Sequence, residues 1–211
     1  MAQPASPTAK GQRQSQEILD AALRCLGRDG YASTSLARVA EEAGVSKRMV
    51  LYYFDSREAL FVQLTRSIGN RLLAQLEQGV AGIQDPGEVT QAGFERMWTA
   101  ITADRALLIA LFGVTIESVT DERLAEAVGD FKEGFRELLR KQLMDARAHG
   151  RRVVVNDEVA VTAMLTGFFG LAIEWLENGD TPELQQTIAG YQQLVAAMAP
   201  PATTVRDLTQ R

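Results

Sequence analysis

The residues around Gly44 constrain the fold more than any other part of this chain. Before Gly44, a Thr-Ser pair that can cap a helix precedes apolar residues spaced by three or four, as in a short helix. After it, Ser46 can cap a second short helix with Val50 and Phe54 at the same spacing. Glycine ends helices because it adopts left-handed backbone conformations without steric cost. The segment therefore predicts two short helices joined by a tight turn, the geometry of a helix-turn-helix.

The rest of the chain favours helix almost throughout. Ala, Leu, Glu, Arg and Gln dominate, and no run alternates with the two-residue period of a strand. Apolar spacing and stop signals predict an all-α fold of about nine helices. We expect an N-terminal three-helix helix-turn-helix domain and a larger C-terminal helical domain. The predicted divisions are a flexible arm at 1–14, the first domain at 15–60, the second at 61–200 and a tail at 201–211.

Composition excludes several classes of protein. A hydrophobic content of 46% with 23% charged residues is not that of a disordered chain. The one cysteine, Cys25, excludes an internal disulfide and a cysteine-based zinc site; we expect it in the core, with redox sensing as the alternative. The one histidine, His149, is expected at a helix end rather than at a metal. The sequence thus predicts no metal site and no cofactor.

Targeting and membrane signals are not apparent in the sequence. The first residues are polar, without the apolar core of a secretory signal. The longest uncharged apolar-leaning stretch, residues 159–173, falls short of the roughly 18 residues that a spanning helix needs. We therefore expect no membrane association, and a soluble cytoplasmic protein.

The net charge of −5 argues, as a whole-chain average, against nucleic acid as a partner. The distribution of charge along the chain does not argue against it. Residues 1–60 hold 8 basic and 7 acidic residues, a charge of +1, and residues 61–211 hold 14 and 20, a charge of −6. The acidity belongs to the predicted second domain, so it does not exclude DNA binding by the first.

The second helix of the predicted motif carries side chains suited to DNA. A helix of this width fits the major groove, with its N-terminal residues nearest the base edges. Tyrosine and arginine side chains can also bind backbone phosphates. We expect one side to present Lys47, Arg48, Leu51 and Tyr52, and the other to bury Met49, Val50 and Phe54.

Several short motifs follow one another through the first sixty residues. They are Gly30-Tyr31, Thr34-Ser35, Val39-Ala40, Ala43-Gly44-Val45-Ser46, Tyr52-Tyr53-Phe54 and Ser56-Arg57-Glu58. In this order the stretch from about Ser15 to Leu60 resembles the N-terminal domain of TetR-type transcriptional repressors. Three residues depart from the usual pattern, in which a small residue, a tyrosine and a lysine are frequent: Arg48, Leu51 and Arg57.

The resemblance implies how such a chain acts. It implies a homodimer that binds a palindromic double-stranded DNA operator and is released from it by a small-molecule effector. The DNA contacts that it implies are Thr34, Ser35, Ser46, Lys47, Arg48, Tyr52, Tyr53 and Arg57.

Aromatic residues of the fourth to seventh helices form a candidate cavity for an apolar or aromatic effector, with an ordinary aromatic core as the alternative. These residues are Phe94, Trp98, Phe112, Phe131 and Phe135. The eighth helix is apolar on more sides than one core face needs, which predicts packing with the ninth helix against a second copy. A fully buried central helix of a monomer is the alternative. The expected dimer residues are Gly167, Phe168, Gly170, Leu171, Trp175, Leu184, Ile188, Tyr191 and Val195.

Two other functional classes compete with this hypothesis. An enzyme is disfavoured because the sequence has no phosphate loop, nucleophile elbow, HExxH or CxxC, although a carboxylate or lysine site would not be visible. We therefore assign no catalytic residue. A dimeric ligand-binding or scaffold protein without DNA binding is the other class, and the presence of Lys47 and Arg48 argues against it.

Overall fold

The computed structural model describes residues 9–83 and 89–201, which form nine α-helices and one π-helical turn. In this described part the only β-type pairing is an isolated bridge between Arg151 and Pro201. The predicted all-α fold is confirmed. The helices are α1 Ala9–Ser33, α2 Leu36–Glu42, α3 Lys47–Phe54, α4 Arg57–Val80, α5 Phe94–Thr102 (after the π-helical turn Val89–Gly93), α6 Arg105–Glu117, α7 Glu122–Ala148, α8 Asp157–Asn178 and α9 Pro182–Met198.

The chain divides into two compact units. The first contains the described residues up to Arg71 together with Asp104–Phe131. The second contains the described residues of Leu72–Ala103 and those from Lys132 onwards. Helices α4 and α7 thus each contribute residues to both units. The functional division at residue 60 stays a prediction, but α6 belongs to the first unit, which the sequence did not indicate.

Helix α1 forms much of the core of the first unit. The helix begins at Ala9 rather than at Ser15, so residues 9–14 are helical and not a flexible arm; residues 1–8 lie outside the described part. Its apolar face, which includes Ile18 and Cys25, is buried. Helix α6 packs closely against α1 at Gly27, where an added Cβ would lie 2.5 Å from the Cβ of Ala106.

The apolar stripes predicted on α4 and α7 are buried. Residues of both stripes are at most 9% exposed, because their spacing of three or four keeps them on one side of each helix. The stripe of α4 is Leu60, Leu64, Ile68, Leu72 and Leu76, and that of α7 is Leu124, Val128, Phe131, Phe135, Leu138 and Leu139.

Helices α8 and α9 of the second unit begin and end where the sequence signals lie. Asn156 caps α8 by accepting hydrogen bonds at Oδ1 from the backbone N–H groups of Glu158 and Val159, at 3.0 and 3.4 Å. Helix α8 ends at Gly179, which has a φ of 75°. Thr181 caps α9 through the N–H of Leu184 at 3.1 Å, with proline at the first helical position.

The length of α8 corrects one sequence expectation. The helix continues beyond residue 173 to Asn178, and by length and composition alone it could cross a membrane. One third of its most apolar window is buried inside the structure, and mostly buried core helices of soluble proteins pass the same test. The expectation that this segment is too short was wrong, and the absence of membrane association stays a prediction.

Candidate nucleic-acid interface

The turn between α2 and α3 is built around Gly44. Its φ of 64° lies in the left-handed region, where glycine is favoured. The N–H of Val45 donates to the carbonyl oxygen of Ala40 at 2.9 Å, and the N–H of Gly44 donates to that of Glu41 at 3.1 Å. This pair of bonds is a Schellman motif, which satisfies carbonyl groups at the end of α2. The predicted tight turn therefore follows from one glycine and four backbone groups.

Two serines cap the helices of the motif as predicted. The Ser35 hydroxyl accepts a hydrogen bond from the N–H of Arg38 at 3.3 Å at the start of α2. The Ser46 hydroxyl accepts one from the N–H of Met49 at 3.2 Å at the start of α3. Both serines are exposed. Each hydroxyl keeps its own proton free to donate to a phosphate outside the molecule.

Helix α3 exposes one side to solvent and buries the other. Val50 and Phe54 are 0% and 1% exposed, whereas Tyr52 is 77% exposed and Lys47 and Arg48 are also exposed. Neither cation has an ion pair or hydrogen bond with another described residue, and exposed charges of this kind remain available to an outside anion.

Two residues flank these cations on α3. Met49, which we expected to be buried, is 41% exposed, because Val50 and Phe54 suffice to anchor this short helix. Tyr53 is half-buried and its ring meets that of Tyr52 edge to face, with 5.2 Å between centroids. The exposed side of α3 is thus a mixed surface of two cations, a tyrosine and apolar side chains.

Thr34 is not available for the DNA contact that the resemblance implies. Its side chain is 0% exposed, and its hydroxyl donates to the carbonyl oxygen of Gly30 at 2.7 Å. Gly30 has a φ of 77° and interrupts α1, so its carbonyl group turns towards Thr34 instead of continuing the helix. Thr34 therefore closes the end of α1, and Ser35 alone of the pair faces solvent.

Arg57 also leaves the implied set of contacts. Its Nε donates to the carbonyl oxygen of Thr34 at 2.9 Å, and its Nη2 donates to that of Tyr31. The guanidinium lies over the rings of Tyr31 and Phe61, 4.5 and 4.7 Å from their centroids. Two of its N–H groups are bonded to main-chain carbonyl groups of the first unit, so it acts there as a clamp, which disfavours a role as a phosphate ligand. The Gly30-Tyr31 and Arg57 motifs carried this signal, but their separation in sequence hid the contact.

The other arginines near the motif are paired with acids. Arg24 donates to Glu42 at 2.8 Å, and Arg28 donates to Glu42 at 3.1 Å and to Asp29 at 3.0 Å. Arg38 donates to Asp29 at 3.2 Å. The hydrogen bonds from Arg24 and Arg28 lower the pKa of the Glu42 carboxyl group, and that from Arg28 lowers the pKa of Asp29.

Residues 18–64 match the model of the bacterial regulatory proteins of the tetR family. This N-terminal part of the chain is therefore of the tetR type. It is 21% identical to the nicotine-responsive transcriptional repressor HdnoR of Paenarthrobacter nicotinovorans over 79% of this chain and 86% of that protein. It is 47% identical to the transcriptional regulator RutR of Escherichia coli strain K12 over 60 residues, which span 28% of each protein. The chain is a DNA-binding transcriptional regulator.

The fold of this chain also resembles solved structures. A TetR transcription regulator from Haloarcula marismortui superposes with a TM-score of 0.79 at 22% identity, covering 90% of this chain and 100% of that one. The family match falls on residues 18–64, which include the predicted DNA-binding region, whereas the likeness over the whole length is in fold. Function is therefore best defined at the N-terminal end.

The second unit of this regulator contains a partly open cavity of about 100 Å³. Of the five aromatic residues predicted to line it, Phe94 and Phe135 do so. Trp98 lies behind, stacked on Phe94 with 5.9 Å between ring centroids. Phe112 and Phe131 belong to the first unit. The sequence missed lining residues on α8 and α9, since it assigned those helices to the dimer: Met164, Phe168, Tyr191, Gln192, Val195 and Met198.

Most residues expected at the dimer interface are occupied within one chain. Four are at most 7% exposed: Phe168, Leu171, Leu184 and Ile188. Tyr191 and Val195 line the cavity, and the Tyr191 ring lies against Gly167. Trp175 is half-buried, and Gly170 is exposed. The periodicity identified α8 as having two apolar faces, but it did not tell which face the cavity uses.

An apolar face of α8 and α9 stays exposed in the single chain. Val159 and Ile173 on α8 are 60% and 42% exposed, and Leu194 on α9 is 66% exposed. We call the part of this surface that lies on α8 the α8 stripe. Its residues are spaced by three or four along the helix. Its members are Val159, Thr162, Thr166, Gly170 and Ile173.

Cys25 and His149 lie where the sequence places them. Cys25 is fully buried on α1, and this burial raises the pKa of its thiol. His149 follows the last residue of α7, is exposed, and has Nδ1 2.8 Å from the carbonyl oxygen of Asp145. Burial and a raised thiol pKa both disfavour the reactive thiolate, so they argue against redox sensing by Cys25.

Proposed function

We propose that this chain is a homodimeric transcriptional repressor that binds a palindromic operator and is released by a small apolar effector. It acts in the cytoplasm, without a membrane anchor and without catalysis. One observation carries the proposal: α3 exposes Lys47, Arg48 and Tyr52 together, and the two cations are without an acid partner in the described structure. Exposed cations at the start of a capped helix are the groups that meet base edges and phosphates.

The contrast with neighbouring arginines supports this role for α3. Arg24, Arg28 and Arg38 are paired with Glu42 and Asp29, and Arg57 is bonded to main-chain carbonyl groups of the first unit. Contacts within the protein therefore account for those arginines. No such contact with a described residue accounts for Lys47 and Arg48 at the start of α3. Arg48 has the length to make a bidentate contact with guanine, and the exposed Met49 and Leu51 can contact thymine methyl groups.

The proposed DNA contacts are narrower than those the resemblance implies. Thr34 is buried and Arg57 is engaged with main-chain carbonyl groups, so both are left out. The six remaining residues combine phosphate-binding hydroxyls with two base-reading cations: Ser35, Ser46, Lys47, Arg48, Tyr52 and Tyr53.

The α8 stripe supports dimerisation. Reading two half-sites of a palindrome requires two copies of α3 related by a twofold axis. A twofold interface places the same surface of each copy against itself, and small residues such as Gly170 and Thr166 let two helices approach closely. We propose the α8 stripe and Leu194 as this interface, in place of the buried residues named from the sequence.

The cavity of the second unit supports control by a small ligand. It is lined mainly by apolar side chains, which is typical of small-molecule sites. The similar protein HdnoR is named a nicotine-responsive repressor. A ligand that binds one conformation of the regulator more tightly shifts the population towards it, and this differential affinity weakens operator binding.

Selection of bound fragments from genomic DNA with the purified full-length protein tests the proposal. We expect enrichment of a short palindrome, whose half-sites lie about one helical turn apart. A double variant, Lys47→Ala with Arg48→Ala, should lose the enrichment while keeping its circular dichroism spectrum. Random fragments recovered by the native protein would contradict the proposed function.

A further inference from the structure

The cavity of the second unit contains a polar atom without a partner. The side-chain Nε2 of Gln192, on α9, is shielded from solvent and has no hydrogen-bond partner among the described residues. Gln192 lines the cavity. An amide donor that is buried and unpaired is costly, and native proteins rarely keep one without a reason. Because Gln192 is part of the cavity wall, a rotation of its side chain can bring this unpaired donor to a bound molecule.

The walls around this donor favour an aromatic ring. Phe94, Phe135 and Phe168 all line the cavity. Phe168 meets the other two edge to face, with ring centroids 5.6 Å from Phe94 and 5.8 Å from Phe135. Rings arranged in this way accept another ring at their faces and edges. Met97 and Met164 also line the cavity, and flexible thioether side chains adapt to such a guest.

The size of the cavity limits the ligand to about one ring. Its volume is about 100 Å³. For comparison, an apolar cavity of about 150 Å³ is large enough for benzene. Because the cavity is smaller than that, even a single substituted ring requires lining side chains such as Met97 and Met164 to move, and a fused polycyclic molecule requires larger changes.

The polar groups of the lining select the charge of the ligand. The Tyr191 hydroxyl donates to the carbonyl oxygen of Met164, so its proton is already used. None of the described lining residues is Asp or Glu, and Arg151 is among them. A cationic amine would find no counter-ion among them. An uncharged oxygen acceptor meets no such penalty.

We propose that the cavity binds a single-ring aromatic carbonyl compound whose oxygen accepts a hydrogen bond from Nε2 of Gln192. The inference deepens the proposed effector role and depends on it only for the consequence at the operator. It concerns the free protein, so binding is measured without DNA. If operator selection fails, the ligand-binding result still stands. If ligand binding fails, the result of operator selection still stands.

A pair of ligands with matched shape isolates the hydrogen bond. Acetophenone carries a carbonyl oxygen where isopropylbenzene has a methyl group, so the two differ mainly in the acceptor. By titration calorimetry on the full chain, we expect acetophenone to bind about tenfold more tightly, which corresponds to satisfying one buried donor. Benzylamine, a cation of similar size, should bind at least tenfold more weakly than acetophenone.

Variants of two adjacent glutamines complete the test. Gln192→Leu should bring the ratio of the two affinities to about one while isopropylbenzene still binds, because only the donor is lost. Gln193→Leu changes an exposed glutamine on the same helix that does not line the cavity, so the tenfold ratio should persist. If the leucine variant does not fold by circular dichroism, Gln192→Met provides the same loss of the donor with an unbranched side chain.

Three outcomes would overturn the proposal. The first is equal affinity of the native protein for acetophenone and isopropylbenzene, including no detectable binding of either. The second is a tenfold ratio that survives loss of the Gln192 amide in a folded variant. The third is benzylamine binding as tightly as acetophenone.

Discussion

The guanidinium of Arg57, at the first residue of α4, donates from Nε to the main-chain carbonyl oxygen of Thr34 at 2.9 Å. Thr34 precedes the cap of α2, so one side chain joins the starts of two helices. The same group covers the rings of Tyr31 and Phe61. The clamp links the start of α4 to the segment between α1 and α2.

Removal of this clamp is expected to destabilise the protein. Arg57→Ala should lower the free energy of unfolding by about 2–4 kcal/mol, because it leaves a buried carbonyl group unpaired and removes a stacked cation. The free energy of unfolding of Arg57→Lys should lie between those of the native protein and Arg57→Ala, since an ammonium group keeps the charge but cannot reproduce the planar fork. Urea unfolding followed by circular dichroism measures the difference.

Arg48→Ala is the matched control for this experiment. Arg48 is exposed and has no partner in the described structure, so its loss should change the free energy of unfolding by less than about 0.5 kcal/mol. Full stability of Arg57→Lys would show that charge, and not the fork geometry, provides the stabilisation.

The same Arg48→Ala variant should be defective in DNA recognition. We expect a loss of about 1–3 kcal/mol on the selected operator and a much smaller loss on a scrambled duplex, because a base contact discriminates between sequences. Fluorescence anisotropy with both duplexes measures the two affinities. Lys141→Ala removes an exposed cation from the second unit and controls for the change in net charge. Equal losses on both duplexes would mean that Arg48 binds phosphate only.

Two glycines of α8 should respond differently to the same substitution. At Gly167 an added Cβ would lie 2.2 Å from Cε2 of Tyr191, so Gly167→Ala should lower the free energy of unfolding by about 1–3 kcal/mol. At Gly170 an added Cβ meets no described atom within 4 Å of it in the single chain. Gly170→Ala should be neutral or stabilise the helix by up to about 1 kcal/mol. Thermal unfolding of both variants measures these changes. Similar melting temperatures for the two variants would contradict this packing.

A larger substitution at Gly170 tests the proposed dimer face. Gly170→Arg should produce folded monomers, because the side chain projects from the α8 stripe without disturbing the chain itself. Gly129→Arg is the control, since this glycine of α7 is equally open but lies off the stripe. Sedimentation velocity gives the mass of each. A dimer that persists in the Gly170 variant would exclude this face.

The local elements were predictable because their signals lie within a few residues. Gly44, Ser46, Asn156 and Thr181 each satisfy backbone groups of their own turn, so capping chemistry alone locates the helix ends. The exposed cations of α3 were predictable for the same reason, because the spacing of Val50 and its partners determines the opposite side.

The functional assignments that failed depend on contacts between distant residues. Arg57 has an ordinary charged side chain, and its hydrogen bond to the main chain of Thr34 spans 23 positions of sequence. Likewise, an apolar helix such as α8 can face a cavity or a second copy, and the periodicity is the same in both cases. The packing of Tyr191 against Gly167 decides between them, and this contact is visible only in three dimensions.

Because Cys25 is buried, site-specific probes can be attached to a cysteine introduced elsewhere in the protein. Cys25 is the one cysteine of the chain, is 0% exposed, and has a raised thiol pKa. Maleimide and methanethiosulfonate reagents should therefore not react with it. A cysteine introduced at the exposed Ala37 of α2 would then be labelled alone. In a dimer, two spin labels at this position would report the distance between the helix-turn-helix motifs directly, with and without ligand, and without a cysteine-free background having to be engineered first.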